Sequence, residues 1–285
     1  MLYRRGEGTE GRLSMYEAYY GLREKPFSIL PDPELVYWGP NHRLAYAMLE
    51  FGVMNSAGFT VITGEIGSGK TTLVRCLLRK LDPNINVGLI SNTPHGRKEL
   101  LQWVMMSLDQ PFDEKYSELL FRFQQYLRAQ HRENRRTLII VDEAQNLQPD
   151  ALESLRMLSN INADKDQFLQ LMLVGQPQLR DLLRSPALTQ FAQRISADFH
   201  LKPLSPGEVT QYIDYRLKAV GARAPLFSNE ACAAIAQASA GIPRTINILC
   251  DTALVYGFAS RANRVTKQLV DLVVDDKRNF GIFAG

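Results

Sequence analysis

The chain has 285 residues, 45% of them hydrophobic, and its 33 basic and 30 acidic side chains leave a formal charge of +3. This length is enough to bury a sizeable core in one large or two smaller domains, and the near balance of charge argues against bulk electrostatic binding to nucleic acid. The three cysteines are far apart and form no C-x-x-C pair, which argues against a disulfide framework or zinc site, and no run of about 18 apolar residues indicates a membrane span.

The N-terminal part is predicted to contain a mobile tail, 1–14, followed by an aromatic arm and a helix, 15–57. The tail is polar and has no apolar signal-peptide core, so we expect a cytoplasmic protein. Aromatic residues and prolines in the arm are expected mainly to add to a core. Tyr37 has a second interpretation, as a residue that lines an adenine pocket. A helix is predicted over 41–56, with Asn41 as its N-cap.

Residues 58–203 alternate between apolar strand-like runs and helical patterns. Alternation of this kind predicts a parallel α/β sheet between helices. The predicted strands are 58–63, 86–91, 137–141, 168–174 and 196–201. The predicted helices begin with the segment after residue 70 and continue at about 97–109, 114–131, 149–159, 177–184 and 186–194.

The last part of the chain has only helical patterns. Helices are predicted over 206–219, 228–239, 243–259 and 266–276, with N-cap residues before them and glycines where two of them stop. We therefore expect a small all-helical lid domain over 204–276, followed by a short tail, 277–285.

A glycine-rich turn after the first strand has the pattern G-x-x-x-x-G-K-T, in the strand–loop–helix context that a phosphate-binding loop requires. Its glycines let backbone N–H groups face phosphate oxygens, and the positive end of the next helix adds to the attraction. The lysine is expected to reach the β- and γ-phosphates and the first threonine to bind Mg²⁺. The predicted nucleotide-binding residues are Gly64, Glu65, Ile66, Gly67, Ser68, Gly69, Lys70, Thr71 and Thr72.

Two carboxylates, Asp142 and Glu143, end the apolar run 137–141. Together with a phosphate-binding loop, the first acid is expected to hold Mg²⁺, directly or through water. The second is expected to polarise the water that attacks the γ-phosphorus of ATP. This pair favours ATP hydrolysis over simple nucleotide binding.

Three further polar residues fit a nucleotide-driven machine. Gln176 follows the fourth predicted strand and either orients the attacking water or contacts the γ-phosphate, or is only a turn residue. Arg194 precedes the last strand and either enters a neighbouring subunit's ATP site as an arginine finger or forms a surface salt bridge, with Arg180 and Arg184 as competing candidates. Arg244, in the first turn of a lid helix, is expected to sense the γ-phosphate of its own chain.

Taken together, these motifs resemble an AAA+ ATPase, and a narrower match is with the general secretion pathway protein A (ExeA-like) ATPases. The narrower resemblance covers about 15–275 and is carried by the segments Tyr20–Phe27, Pro31–Pro33, Asp142–Leu147, Val174–Leu179, Gln193–Ile195 and Gly241–Cys250. The AAA+ resemblance implies that Gly64–Thr71 is Walker A, Leu138–Glu143 Walker B, Gln176 sensor 1, Arg194 the arginine finger and Gly241–Arg244 sensor 2. It also implies that Asn92 restrains Glu143.

The resemblance implies a cytoplasmic Mg²⁺-dependent ATPase that self-associates and assembles or regulates an envelope secretion or polysaccharide-export system. The secretion members continue into a transmembrane helix and a peptidoglycan-binding domain, whereas this sequence stops at Gly285, so we expect an inner-membrane partner in trans. A rival hypothesis is a DNA-associated regulator of the transposition (TniB/TnsC) type. A third is a scaffold that binds ATP and scarcely hydrolyses it.

Overall fold

The computed structural model describes residues 15–30, 32–55, 57–91, 96–112, 115–161 and 168–280. These residues form two compact units. One contains 15–30 and 204–280 and is called the helical unit; the other lies within 32–203 and is called the α/β unit.

The α/β unit contains a five-stranded parallel sheet. Its strands are β1 (Phe59–Gly64), β2 (Ile85–Ile90), β3 (Arg136–Val141), β4 (Leu169–Gly175) and β5 (Ile195–Leu201). They lie in the order β2-β3-β4-β1-β5, and every neighbouring pair is parallel. The carboxyl ends of all five strands therefore lie along one edge of the sheet.

Two of the described helices precede β1, six lie between successive strands, and four follow β5. They are α1 (Glu17–Tyr20), α2 (Pro40–Met54), α3 (Lys70–Leu78), α4 (Arg97–Ser107), α5 (Tyr116–Arg132), α6 (Pro149–Ser159), α7 (Pro177–Leu183), α8 (Thr189–Ala192), α9 (Pro206–Ala219), α10 (Asn229–Ser239), α11 (Pro243–Ala259) and α12 (Lys267–Phe280). The predicted fold class, a parallel α/β sheet followed by helices, is confirmed.

Alternate residues of each central strand enter two hydrophobic cores, one on each face of the sheet. On β3, Ile139 and Val141 belong to the core that contains residues of α4, α5 and α6. Leu138 and Ile140 belong to the core that contains residues of α2 and α3. A strand covered on both faces needs an unbroken apolar sequence, which is why 137–141 has no polar–apolar alternation.

In the helical unit, the arm that begins at residue 15 is fixed by hydrogen bonds to the C-terminal helices. The Tyr16 hydroxyl bonds to the Asp251 carboxylate, and the Tyr20 hydroxyl donates to the carbonyl of Ala262 at 3.0 Å. Further along the arm, the buried guanidinium of Arg216 donates from Nε to the carbonyl of Pro26 at 2.6 Å. These contacts explain why 15–30 belongs to the same unit as 204–280.

Several boundaries differ from the sequence prediction. The predicted segment 15–57 is divided near Leu30 between the two units, because its first aromatic residues pack with the helical unit. Helix α2 begins at Pro40 with Gly39 as N-cap, so the prediction of Asn41 as N-cap is wrong. The predicted helix 186–194 is a short 3-10 turn followed by α8, and α12 extends into the predicted tail as far as Phe280. The predicted tail 1–14 and, within the predicted tail 277–285, residues 281–285 lie outside the described residues.

Gly241 occupies a position in the helical unit that only glycine fits without strain. Its φ is +73°, and a Cβ there would lie 2.0 Å from the carbonyl oxygen of Leu204, whose N–H donates to the Gly241 carbonyl at 2.9 Å. Gly241→Ala is therefore expected to lower the free energy of unfolding by at least about 2 kcal/mol, measured by chemical denaturation.

The matched control is Gly207→Ala in α9, where a Cβ meets no heavy atom within 4 Å. Alanine is the better helix former there, so this variant should equal or exceed the stability of the wild type. Equal stability of the two variants would contradict the assigned role of Gly241.

Candidate active site

The predicted phosphate-binding loop connects the carboxyl end of β1 to the first residue of α3. Gly67 and Gly69 lie within this loop with φ of 79° and 103°, values that side-chain-bearing residues rarely adopt. Helix α3 starts at Lys70, so its first N–H groups face the loop. The backbone thus has the geometry of an anion-binding turn at a helix N-terminus.

Lys70 is directed back into the loop rather than into solvent. Its side chain is 6% exposed, and Nζ donates to the carbonyls of Gly64 at 2.7 Å and Glu65 at 2.9 Å. Burial is the main influence on the lysine and lowers its pKa, while the negative charges of Glu143, Asp142 and Glu65 oppose that shift. A cation is therefore held at the centre of the loop, beside three carboxylates.

Asp142 is hydrogen-bonded to the first turn of α3. The Thr71 hydroxyl donates to Asp142 Oδ2 at 3.1 Å, and the N–H of Glu143 donates to Asp142 Oδ1 at 2.9 Å. A hydroxyl beside a carboxylate supplies the hard oxygen donors that Mg²⁺ takes in combination with substrate phosphates. Thr71 and Asp142 therefore fit a magnesium ion.

No cluster of three or more His, Cys, Asp or Glu side chains suited to a metal occurs within the described ranges.

Glu143 lies directly after Asp142 in a left-handed backbone conformation, with φ of 52°. Its Oε2 accepts hydrogen bonds from the side-chain amides of Gln145 at 2.7 Å and Gln176 at 3.1 Å. Burial, the largest single influence, raises the pKa of this carboxyl, but the two amides and the charge of Lys70 together outweigh burial and lower it. Glu143 is thus held as a carboxylate at the edge that carries the loop.

Gln176 was predicted to orient water or contact phosphate. It follows β4 directly, and its side chain contacts the carboxylate of Glu143. The structure therefore brings Gln176, Glu143, Asp142, Thr71 and Lys70 together at one edge of the sheet.

Arg194 lies elsewhere. It precedes β5, and the register pairs Ile195 with Phe59 and Leu201 with Gly64, so Arg194 is at the opposite end of the sheet from the loop. At about 3.3 Å per residue, the separation along the strand is roughly 20 Å. Its Nη1 donates to Ser159 Oγ at 2.8 Å, at the C-terminal end of α6.

Arg244 and Tyr37 are two further predicted site residues. Arg244 is exposed at the second position of α11 in the helical unit, and its predicted sensing role stays a prediction. Tyr37 is partly buried and precedes Trp38, whose ring packs edge-on against that of Tyr46. Its adenine-lining role also stays a prediction, and Asn92 lies outside the described residues.

Sequence reasoning missed His42 and Gln145. His42 is buried in the first turn of α2, and its Nε2 lies 3.1 Å from the carbonyl oxygen of Ser68 in the loop. A histidine on the buried face of a predicted helix was the available signal. For Gln145, two positions after Glu143, the sequence offered no periodic signal, because its contacts depend on where β4 ends.

Comparison with known proteins agrees with this geometry. A family model described as "AAA domain" matches residues 53–183. General secretion pathway protein A of Aeromonas hydrophila is 40% identical over 253 residues, which are 88% of this chain and 46% of that protein. The chain therefore spans about half the length of this relative.

Solved structures with low sequence identity share the fold. The ORC2 protein of Aeropyrum pernix gives a TM-score of 0.59 at 17% identity, over 82% of this chain and 66% of that chain. The structure of Drosophila ORC bound to DNA gives a TM-score of 0.66 at 15% identity, over 96% of this chain and 69% of that chain. At these identities the likeness shows the fold alone.

None of the described helices is both long and apolar enough to cross a membrane. The parallel sheet with its glycine-rich loop, the family match and the sequence similarity lead to one conclusion: the chain carries an AAA domain over 53–183 and is similar, over most of its own length, to General secretion pathway protein A.

Proposed function

We propose that this chain is a Mg²⁺-dependent ATPase that hydrolyses ATP to ADP and phosphate. The observation that carries the proposal is the contact between the Thr71 hydroxyl and the Asp142 carboxylate, with Lys70 and Glu143 beside them. Cation, hydroxyl and two carboxylates at the mouth of one glycine-rich loop match the chemistry of phosphoryl transfer to water.

Each of these side chains has a distinct role. Lys70 exchanges its contacts with the loop carbonyls for phosphate oxygens and balances their charge. Thr71 and Asp142 hold Mg²⁺, which when bound neutralises negative charge on the phosphates. Glu143, kept ionised by its surroundings, accepts the proton of the attacking water.

The position of Arg194 supports self-association. Because it lies roughly 20 Å along the sheet from the loop of its own chain, it is suited to an ATP site on a neighbouring copy rather than its own. The hydroxyl of Ser159 and the carbonyl end of α6 hold the guanidinium at a defined place. An arginine fixed in this way can stabilise transition-state charge in trans.

We further propose that ATP turnover assembles or regulates an envelope secretion or export system. The similarity to General secretion pathway protein A supports this role, and the partner is then an inner-membrane component. All three cysteines are buried free thiols, which fits the cytoplasm. Arg244 of the helical unit is the candidate that senses the γ-phosphate and passes on the state of the site.

Glu143→Gln should bind ATP with near wild-type affinity but hydrolyse it at least about 100-fold more slowly, because an amide cannot accept the proton of water. Lys70→Ala should lose ATP binding itself. Binding is measured with a fluorescent ATP analogue and turnover by phosphate release. Hydrolysis by Glu143→Gln near the wild-type rate would contradict the assigned role of the carboxylate.

Arg194→Ala should abolish a concentration-dependent rise in the ATPase rate per subunit, while ATP binding stays intact. The matched control is Arg128→Ala, since Arg128 is exposed on α5. Ser159→Ala removes the hydrogen bond but keeps the guanidinium, so its loss of rate should be smaller.

An unchanged concentration dependence in Arg194→Ala would contradict action in trans. The same assay with double-stranded DNA tests the rival hypothesis, because stimulation severalfold by DNA would favour a DNA-associated regulator.

A further inference from the structure

We propose that Gln145 is a positioning residue for ATP hydrolysis, which fixes the carboxylate of Glu143 for its work on water. The inference rests on the proposed ATPase function and adds a residue to which the sequence motifs assign no role. Gln145 lies two positions after Glu143, in a 3-10 turn over Ala144–Asn146.

The side-chain amide of Gln145 donates one hydrogen bond and accepts another. Its Nε2 donates to Glu143 Oε2 at 2.7 Å, and its Oε1 accepts the backbone N–H of Gln176 at 2.9 Å. The side-chain amide of Gln176 also donates to Glu143 Oε2, at 3.1 Å. The three residues thus form a closed ring that joins the end of β3 to the end of β4.

Two backbone features make this ring possible. The left-handed conformation of Glu143 turns the chain sharply after β3, so that the following residues face the neighbouring strand. At the end of β4, a Cβ on Gly175 would lie 2.9 Å from Gln145 Oε1. Glycine therefore leaves the space that the amide of Gln145 occupies.

The ring orients the catalytic group. Both amides donate to Oε2, so Oε1 is the oxygen that neither amide occupies and that can accept a proton from water. Proton transfer to a carboxylate is slower when its side chain samples several rotamers. Hydrogen bonds from two donors restrict the Glu143 side chain to one rotamer. Gln145 Oε1 also accepts the backbone N–H of Gln176. A movement of the turn after β4 would therefore shift the Gln145 amide and, with it, the carboxylate of Glu143.

The test uses Gln145→Met, which keeps the length of the side chain and removes the amide. We expect kcat to fall about tenfold or more while the affinity for ATP stays within about twofold, since the hydrogen bonds of the Gln145 side chain go to Glu143 and Gln176. The matched control is Gln178→Met, because Gln178 is exposed on α7. The kcat of this variant should equal that of the wild type.

A second comparison separates positioning from a general structural role. In the Glu143→Gln background, Gln145→Met should cause no further fall in kcat, because the group that it positions is gone. A fall of the same size in both backgrounds, or no fall in the wild-type background, would overturn the proposal.

A third measurement does not depend on activity. The melting temperatures of Glu143→Ala, Gln145→Met and the double variant form a cycle, and the drop for the double variant should be smaller than the sum of the single drops. Additive drops would overturn the proposal. A wild-type chain that fails to hydrolyse ATP would instead refute the proposed function, and the cycle would still decide whether Gln145 holds Glu143.

Discussion

The contact between Thr71 and Asp142 depends on parallel strands whose carboxyl ends share one edge of the sheet. Strand β4 lies between β1, which leads into the glycine-rich loop, and β3, which leads into the acidic pair. Thr71 and Asp142 nevertheless make a hydrogen bond across this separation. The two hydrophobic cores fix the strands from both faces, because alternate residues of β3 are buried in each. The α/β unit therefore presents these polar side chains from strands that are packed on both faces, as the proposed site for phosphate and metal requires.

The middle strand has a role beyond spacing. β4 ends at Gly175 and is followed by Gln176, and β4 itself lies between β1, which leads into the loop, and β3, which leads into Glu143. The amides of Gln145 and Gln176 meet the carboxylate there, and the positive charge of Lys70 acts on the same group. Loop, acid and turn are thus connected through one carboxylate, that of Glu143.

Much of the α/β unit was predictable because its signals are local or periodic. Unbroken apolar runs identified the buried strands, and the spacing of Gly64, Lys70 and Thr71 identified the loop. The place of Gln145 was not predictable, because it depends on a left-handed residue at Glu143 and on a glycine in a strand distant in the sequence. The division of the arm near Leu30 was missed for a similar reason, since Arg216 and Asp251 bind it from far along the chain.

Lys70, Thr71 and Asp142 are proposed to form a site for ATP with Mg²⁺. This proposal is tested by calorimetric titration of a non-hydrolysable ATP analogue, with and without Mg²⁺, into the wild-type chain and into Asp142→Asn. We expect Mg²⁺ to strengthen binding at least about tenfold in the wild type and much less in the variant, because the carboxylate holds the ion. Binding that is indifferent to Mg²⁺, or equally strengthened by it in both chains, would show that Asp142 does not hold Mg²⁺ beside ATP.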